Sequence, residues 1–254
     1  MIVGIIPARF ASTRLMGKPL ADIGGKSLIQ HTYESASKSK LIKKIIIAVD
    51  DEKVEDVCHG FGAEVVLTAK DFETGSDRIA HVVKNMDGAK IIVNIQGDEP
   101  FISSKMIDQA IEPLLFDKCV NVATLVKRIE NFKELNSPDV VKVVFDYNNY
   151  AMYFSRAVIP FVRDASTKEI AVEKTEYYKH IGLYVYRRDS LLKFTNINPT
   201  DLEKTEKLEQ LRMLENGFKI KVVVTDIECI GVDTQKDLKR ARAYYNWLQG
   251  RKEK

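Results

Sequence analysis

Four short runs in the first hundred residues constrain the fold more than anything else in the chain. IVGII (2–6), KIIIAV (44–49), AEVVLT (63–68) and KIIVNIQ (90–96) are nearly continuous in apolar, largely β-branched residues. A strand of that kind has no polar face and has to be covered on both sides. The segments between them, SLIQHTYESASKS, EKVEDVCHGFG and SDRIAHVVKNM, repeat apolar residues at helical spacing. Such alternation is the pattern of a parallel sheet with right-handed crossover helices. Open sheets of this type bind ligands beyond the carboxyl ends of their strands. The loops to examine are therefore 7–19, 50–52, 69–77 and 97–101.

After Gly97 the pattern changes. A helix is expected over 103–117, then strands over 120–129, 139–146, 150–155 and 180–187. The later strands are too closely spaced for helical crossovers, which implies an antiparallel or mixed extension. TEKLEQLRMLENG (205–217) reads as a helix stopped by Gly217. A strand over 219–226 and a closing helix follow, with Asp233 or Thr234 at the N-cap. No repeat, low-complexity tract or Pro/Ser linker divides the chain. The expectation is one α/β domain over 1–254: a Rossmann-like, mostly parallel sheet flanked by helices, with a mixed α/β lobe inserted at about 120–190.

A net charge of +3 is small for 254 residues and does not suggest a nucleic-acid binder. No apolar run reaches the roughly 20 residues of a membrane span. MIVGIIPAR shows no cationic leader, so a cytoplasmic protein is expected. Cys58, Cys119 and Cys229 are far apart and form no CxxC pair, which points to packing residues in a reducing compartment. His31, His59, His81 and His180 are too scattered for a local metal motif.

GGKS (24–27) imitates the end of a phosphate-binding P-loop, but the glycine that motif needs is Leu20. A turn before a helix opened by Ser27 fits better. No GxGxxG follows the first strand, which argues against a dinucleotide. The first loop instead carries Arg9, Arg14 and Lys18 among the small residues Ala8, Ala11, Ser12, Thr13 and Gly17. Guanidinium forks and a lysine point charge suit a polyphosphate, against the plainer reading of a solvated basic loop. NIQGDEPF (94–101) sets Asp98 and Glu99 just past a buried strand. Carboxylates opposite a basic loop fit a bridging divalent cation, magnesium for choice; alternatively Asp98 caps the coming turn and Glu99 is solvated. GVDT (231–234) offers Asp233 as a second ligand or as a helix cap. TGSDR (74–78) opens a helix with Ser76 and Asp77 as caps and Arg78 either solvated or on the nucleotide. Arg156 in YFSRAVIP stands at a strand end, suited to a substrate carboxylate. KLEQLR (207–212) turns Leu208 and Leu211 inward and leaves Glu209 and Gln210 free. Tyr177, Tyr178, Tyr184 and Tyr186 have the spacing of packing residues.

Together these segments resemble one family, the 3-deoxy-D-manno-octulosonate (KDO) cytidylyltransferases, also called CMP-KDO synthetases. The matching stretches are IIPARFASTRLMGKPL, ETGSDR, VNIQGDEP, VVKVVFD, YAMYFSRAVIP, KHIGLYVYR, LEQLRMLENG and GVDT, in order across nearly the whole chain. PAR-x-x-STRL-x-GKPL with QGDEP is the specific part; Met16 stands where the family usually has proline or another residue in RLxGKP. The resemblance implies a nucleotide-diphospho-sugar transferase fold and attack of the KDO anomeric hydroxyl on the α-phosphorus of CTP. It implies Arg9, Arg14, Lys18 and Asp98 as catalytic residues. Pro7, Ala8, Arg9, Ser12, Arg14, Lys18, Ser76 and Arg78 would bind the nucleotide, and Asp98 and Asp233 would hold magnesium. Gln96, Arg156, His180, Tyr184, Glu209 and Gln210 would form the sugar-acid pocket, and the lobe would form a homodimer. The rivals are transfer to an 8-amino-KDO or sialic-type acid, and a non-catalytic nucleotide-sugar-binding module.

Overall fold

The β-branched runs do form strands, largely buried on both faces except for the run at 64–67, none of whose residues is buried. In the first unit they are β1 (Ile2–Ala8), a hairpin of β2 (Asp22–Ile23) and β3 (Lys26–Ser27), and, after α1 (Leu28–Ala36), the strand β4 (Lys44–Val49). Then come α2 (Glu52–Gly60), β5 (Glu64–Leu67), α3 (Gly75–Lys84) and β6 (Ile91–Asn94), followed by α4 (Ser104–Phe116), whose residues from 109 onward belong to the second unit. The computed structural model describes residues 1–11, 14–164 and 175–252. It has two compact units, residues 1–108 with 229–254, and residues 109–228. The unit around the lobe thus begins and ends outside the 120–190 read from sequence.

In the first unit β1 pairs in parallel with β4 and β6, and β4 pairs in parallel with β5. Val3, Ile5 and Ile6 of β1 and Ile47, Ala48 and Val49 of β4 are fully buried. The GGKS segment is no phosphate loop: Gly24 and Gly25 take φ of 62° and 85° to turn the β2–β3 hairpin. Ser27 then caps α1, accepting from the Gln30 N–H at 3.3 Å. Gly97, just past β6, lies against β1 so closely that a Cβ there would sit 2.7 Å from the Pro7 carbonyl oxygen. Only a glycine permits the two strand ends to approach in this way.

The second unit carries β7 (Val122–Ile129), α5 (Phe132–Leu135), β8 (Lys142–Phe145), β9 (Ala151–Ser155), β10 (Tyr177–Arg187), α6 (Arg188–Thr195), α7 (Asp201–Glu206), α8 (Gln210–Glu215) and β11 (Ile220–Val224). β10 runs antiparallel to β7 and β8, β8 antiparallel to β9, and β11 parallel to β7, a mixed sheet. The single helix expected over 205–217 is two. Lys207 adopts a left-handed conformation, φ 55°, ending α7, and α8 starts at Gln210. The break lets the buried Arg212 fold back and donate to both oxygens of Glu203, at 2.8 and 2.6 Å. The chain closes with α9 (Gln235–Lys252), which belongs to the first unit.

All three cysteines are free, but only Cys58 is a buried packing residue; Cys229 is half-buried and Cys119 exposed. Among the described residues no helix is long and apolar enough to cross a membrane.

Candidate active site

At the carboxyl ends of β1 and β6 the first unit opens a cleft of about 360 Å³. Pro7, Ala8, Arg9, Ala11, Arg14, Lys18, Pro19, Gly75, Gln96, Gly97, Asp98 and Asp233 line it. Eight sequence-derived candidates from three distant segments therefore meet there: Pro7, Ala8, Arg9, Arg14, Lys18, Gln96, Asp98 and Asp233.

Lys18 is the centre of charge. Its ammonium donates to Asp98 Oδ2 at 2.7 Å and to Asp233 Oδ1 at 2.9 Å. Arg14 reaches the other oxygen of Asp233 at 3.5 Å. Burial pushes the Lys18 ammonium down, but Asp98 and then Asp233 push it up harder, so its pKa is raised overall. Asp233 is available for this because Thr234 does the capping of α9. Thr234 Oγ1 accepts from the Asp237 N–H at 3.2 Å, and Asp237 accepts from the Thr234 N–H at 3.0 Å. The Asp98 carboxylate likewise meets Lys18 instead of capping a turn. Its neighbour Glu99 is not solvated: Oε2 is buried, and burial first, the Asp98 charge second, raise this carboxyl to about 7.

The TGSDR segment is arranged differently from the sequence reading. Thr74 caps α3 in a capping box with Asp77, so Ser76 is not the cap. Ser76 is 1% exposed and Arg78 fully buried, and neither lines the cleft. Arg78 donates to Asp50 Oδ2 at 3.0 Å and to the Thr68 hydroxyl, with the Phe72 ring 5.7 Å away. It is neither solvated nor at the cleft surface. Asp50, which sequence reasoning passed over, also accepts from the Phe10 N–H at 2.9 Å. Its one signal was its place in the loop after the second strand. Ser12 lies outside the described residues.

This charge pattern agrees with what the chain is similar to. Residues 3–221 match the family model described as Cytidylyltransferase. The 3-deoxy-manno-octulosonate cytidylyltransferase of Geotalea uraniireducens is 52% identical over 243 residues, covering 94% of this chain and 96% of the relative. The chain belongs to the 3-deoxy-manno-octulosonate cytidylyltransferase family. The Geobacter sulfurreducens member is 51% identical, covering 94% of this chain and 97% of its own. A solved CMP:2-keto-3-deoxy-manno-octonic acid synthetase complexed with CTP superposes with a TM-score of 0.90 at 38% identity, covering 97% of this chain and 99% of that one.

The remaining cytidylyltransferase candidates, Arg156, His180, Tyr184, Glu209 and Gln210, all lie in the second unit. His180 and Tyr184 flank a bulge in β10 and touch, ring centroids 5.2 Å apart, with Phe154 edge-on to His180. Thr124 Oγ1 spends its one proton on the Leu183 carbonyl at 2.8 Å, so the His180 Nε2 at 3.0 Å is the donor in their contact. Burial drives His180 down to about 3 and keeps it neutral. Burial, then Tyr186 and Glu209, hold the Tyr184 hydroxyl protonated. Arg156 donates to the carbonyls of Glu206 and Pro138, both at 2.8 Å. Leu208 and Leu211 face inward as expected, but Gln210 is not free: it is 6% exposed. Tyr177, Tyr184 and Tyr186 are buried, each under a tenth exposed.

Proposed function

We propose that this protein transfers the cytidylyl group of CTP to the anomeric hydroxyl of KDO and releases pyrophosphate, in lipopolysaccharide biosynthesis. One observation carries the reading: three cations and two carboxylates line a single cleft at the strand ends, with Lys18 held between Asp98 and Asp233. A polyphosphate supplies an anion for Arg9, whose Nη2 is buried with no hydrogen-bond partner among the described residues, and balances the excess of cations in the cleft.

In the reaction the hydroxyl oxygen bonds to the α-phosphorus as the bridge oxygen to the β-phosphate departs, and the hydroxyl proton is released to water. Positioning and charge neutralisation provide most of the acceleration in such transfers. Arg9, Arg14 and Lys18 grip the triphosphate and stabilise the charge that grows on the leaving pyrophosphate. Pro7 and Ala8 bring the backbone of the β1 end against the nucleotide. Ser76 and Arg78 support it from behind the cleft wall.

Magnesium fits the donor set. Asp98 and Asp233 already converge on one cation, the Lys18 ammonium, and magnesium prefers one or two carboxylates with phosphate oxygens completing its shell. When bound, the ion neutralises phosphate charge and lowers the pKa of the attacking hydroxyl, which removes the need for a side-chain base.

Arg156, oriented by two carbonyls, takes the sugar carboxylate. Gln96, the neutral His180, the protonated Tyr184, Glu209 and Gln210 bind its hydroxyls. The protein acts in the cytoplasm as a homodimer joined through its second unit, where Met152 and Phe161 are exposed apolar side chains, 65% and 85% accessible. The test is pyrophosphate release with CTP, magnesium and a panel of acidic sugars including the 8-amino and sialic-type acids. Release with KDO above the others is expected, and none with KDO at any magnesium concentration refutes the assignment.

A further inference from the structure

We propose that Asp50 is a positioning residue that fixes the basic loop for nucleotide binding, with Arg78 as its buried counter-ion. The proposal rests on the cleft being the CTP site.

Asp50 follows the last residue of β4 and is 7% exposed. A carboxylate there is costly unless fully partnered. Its two oxygens are divided between two segments. Oδ2 accepts from Arg78 Nη2 of α3 at 3.0 Å, and Oδ1 accepts from the backbone N–H of Phe10 at 2.9 Å. Arg78 is itself fixed, since its second nitrogen donates to the Thr68 hydroxyl, which in turn donates to the Val49 carbonyl at 2.7 Å. The carboxylate thus joins β4, α3 and the basic loop at one point.

Phe10 is where that loop is most easily controlled. It follows Arg9, whose Nη2 is buried with no hydrogen-bond partner among the described residues. The Phe10 carbonyl accepts from the Gly17 N–H at 3.2 Å, and Gly17, at φ 65°, precedes Lys18. One residue, through its N–H and its carbonyl, therefore ties both ends of the loop together, and Asp50 ties that residue to the sheet. Arg9 and Lys18 both line the cleft. Asp50 touches neither of them, yet it sets where each begins.

Asp50 also has to be a carboxylate. The Arg9 charge opposes that of the buried Arg78, and Asp50 is the acid that offsets it. An amide offers one acceptor where two donors converge and turns its own NH2 against one of them.

Asp50→Asn in the full-length enzyme tests this with steady-state kinetics, a melting temperature and amide hydrogen exchange. The expected result is a KM for CTP raised about tenfold, a KM for the acidic sugar within about twofold of wild type, and faster exchange at Phe10 and Gly17. A purely structural defect would lower the melting temperature and the active fraction without separating the two KM values. Unchanged exchange, or faster exchange with the KM for CTP unmoved, overturns the proposal. Should wild type show no turnover of CTP, the functional reading fails while exchange at Phe10 still reports on the tether. Should D50N not fold, Thr68→Val removes the hydroxyl that holds Arg78, while the Val49 carbonyl keeps the backbone N–H of residue 68 at 2.8 Å; an increase of about threefold in the KM for CTP is then expected, and no change overturns the proposal.

Discussion

Replacing Lys18 by methionine removes the charge between Asp98 and Asp233 while nearly keeping the volume of the side chain. The two carboxylate oxygens it grips, at 2.7 and 2.9 Å from Nζ, then face each other across no more than about 6 Å; at an effective dielectric of about 20–40 two such charges repel by about 1–3 kcal/mol. Asp98 and Asp233 side chains are 28% and 48% accessible, so screening brings the cost to the lower part of that range. A loss of about 1–2 kcal/mol corresponds to a fall of a few degrees in melting temperature for a chain of this size. Lys18→Met is therefore expected to melt below wild type at neutral pH and low salt. Millimolar magnesium should raise its melting temperature more than that of wild type, because the ion replaces the missing cation. Turnover should fall about 10²–10³-fold with the loss of a charge facing the leaving group. A variant as stable as wild type in low salt and indifferent to magnesium would refute the idea that Lys18 holds the carboxylates together.

Asp98→Asn should abolish turnover while weak CTP binding persists, measured by calorimetry; full activity would remove Asp98 from the proposed magnesium site. Gly97→Ala places a Cβ 2.7 Å from the Pro7 oxygen, and should cost about 1–3 kcal/mol in urea unfolding as the β1 end is pushed aside, with a weakened affinity for CTP. His180 has its pKa lowered by burial to about 3 from 6.5. The unfolded chain therefore takes up a proton that the folded one refuses, so the stability His180 confers is complete above pH 6.5 and is lost as pH falls toward 3. Between pH 6.5 and 4.5 wild type should lose about 2 kcal/mol more than His180→Asn, roughly 1.4 kcal/mol per unit in the steep part. Parallel acid-unfolding curves for the two proteins would contradict a buried neutral imidazole.

How far the sequence could be read depended on the distance over which each feature is decided. The β-branched runs located β1, β4, β5 and β6, and the shorter spacing after Gly97 announced a mixed sheet, because strand periodicity is local. Caps were less legible. Thr74, Ser76 and Asp77 are all competent caps, and only the observed backbone selects Thr74. The segment 205–217 has an uninterrupted helical pattern, yet Lys207 breaks it so that Glu203 can meet Arg212 inside the unit.

By itself the sequence determined the alternation of strands and helices and the segments in which cations and carboxylates occur. The motifs it shares with its relatives also named the reaction. Only the tertiary structure decided which of those charges meet. Lys18 finds Asp98 and Asp233 across 80 and 215 positions of chain, and Arg78, equally cationic on paper, turns inward to Asp50. Local propensity governs backbone conformation over a few residues. The environment of a charged side chain is set by parallel strands that bring remote loops to one edge, where burial and pairing are settled together.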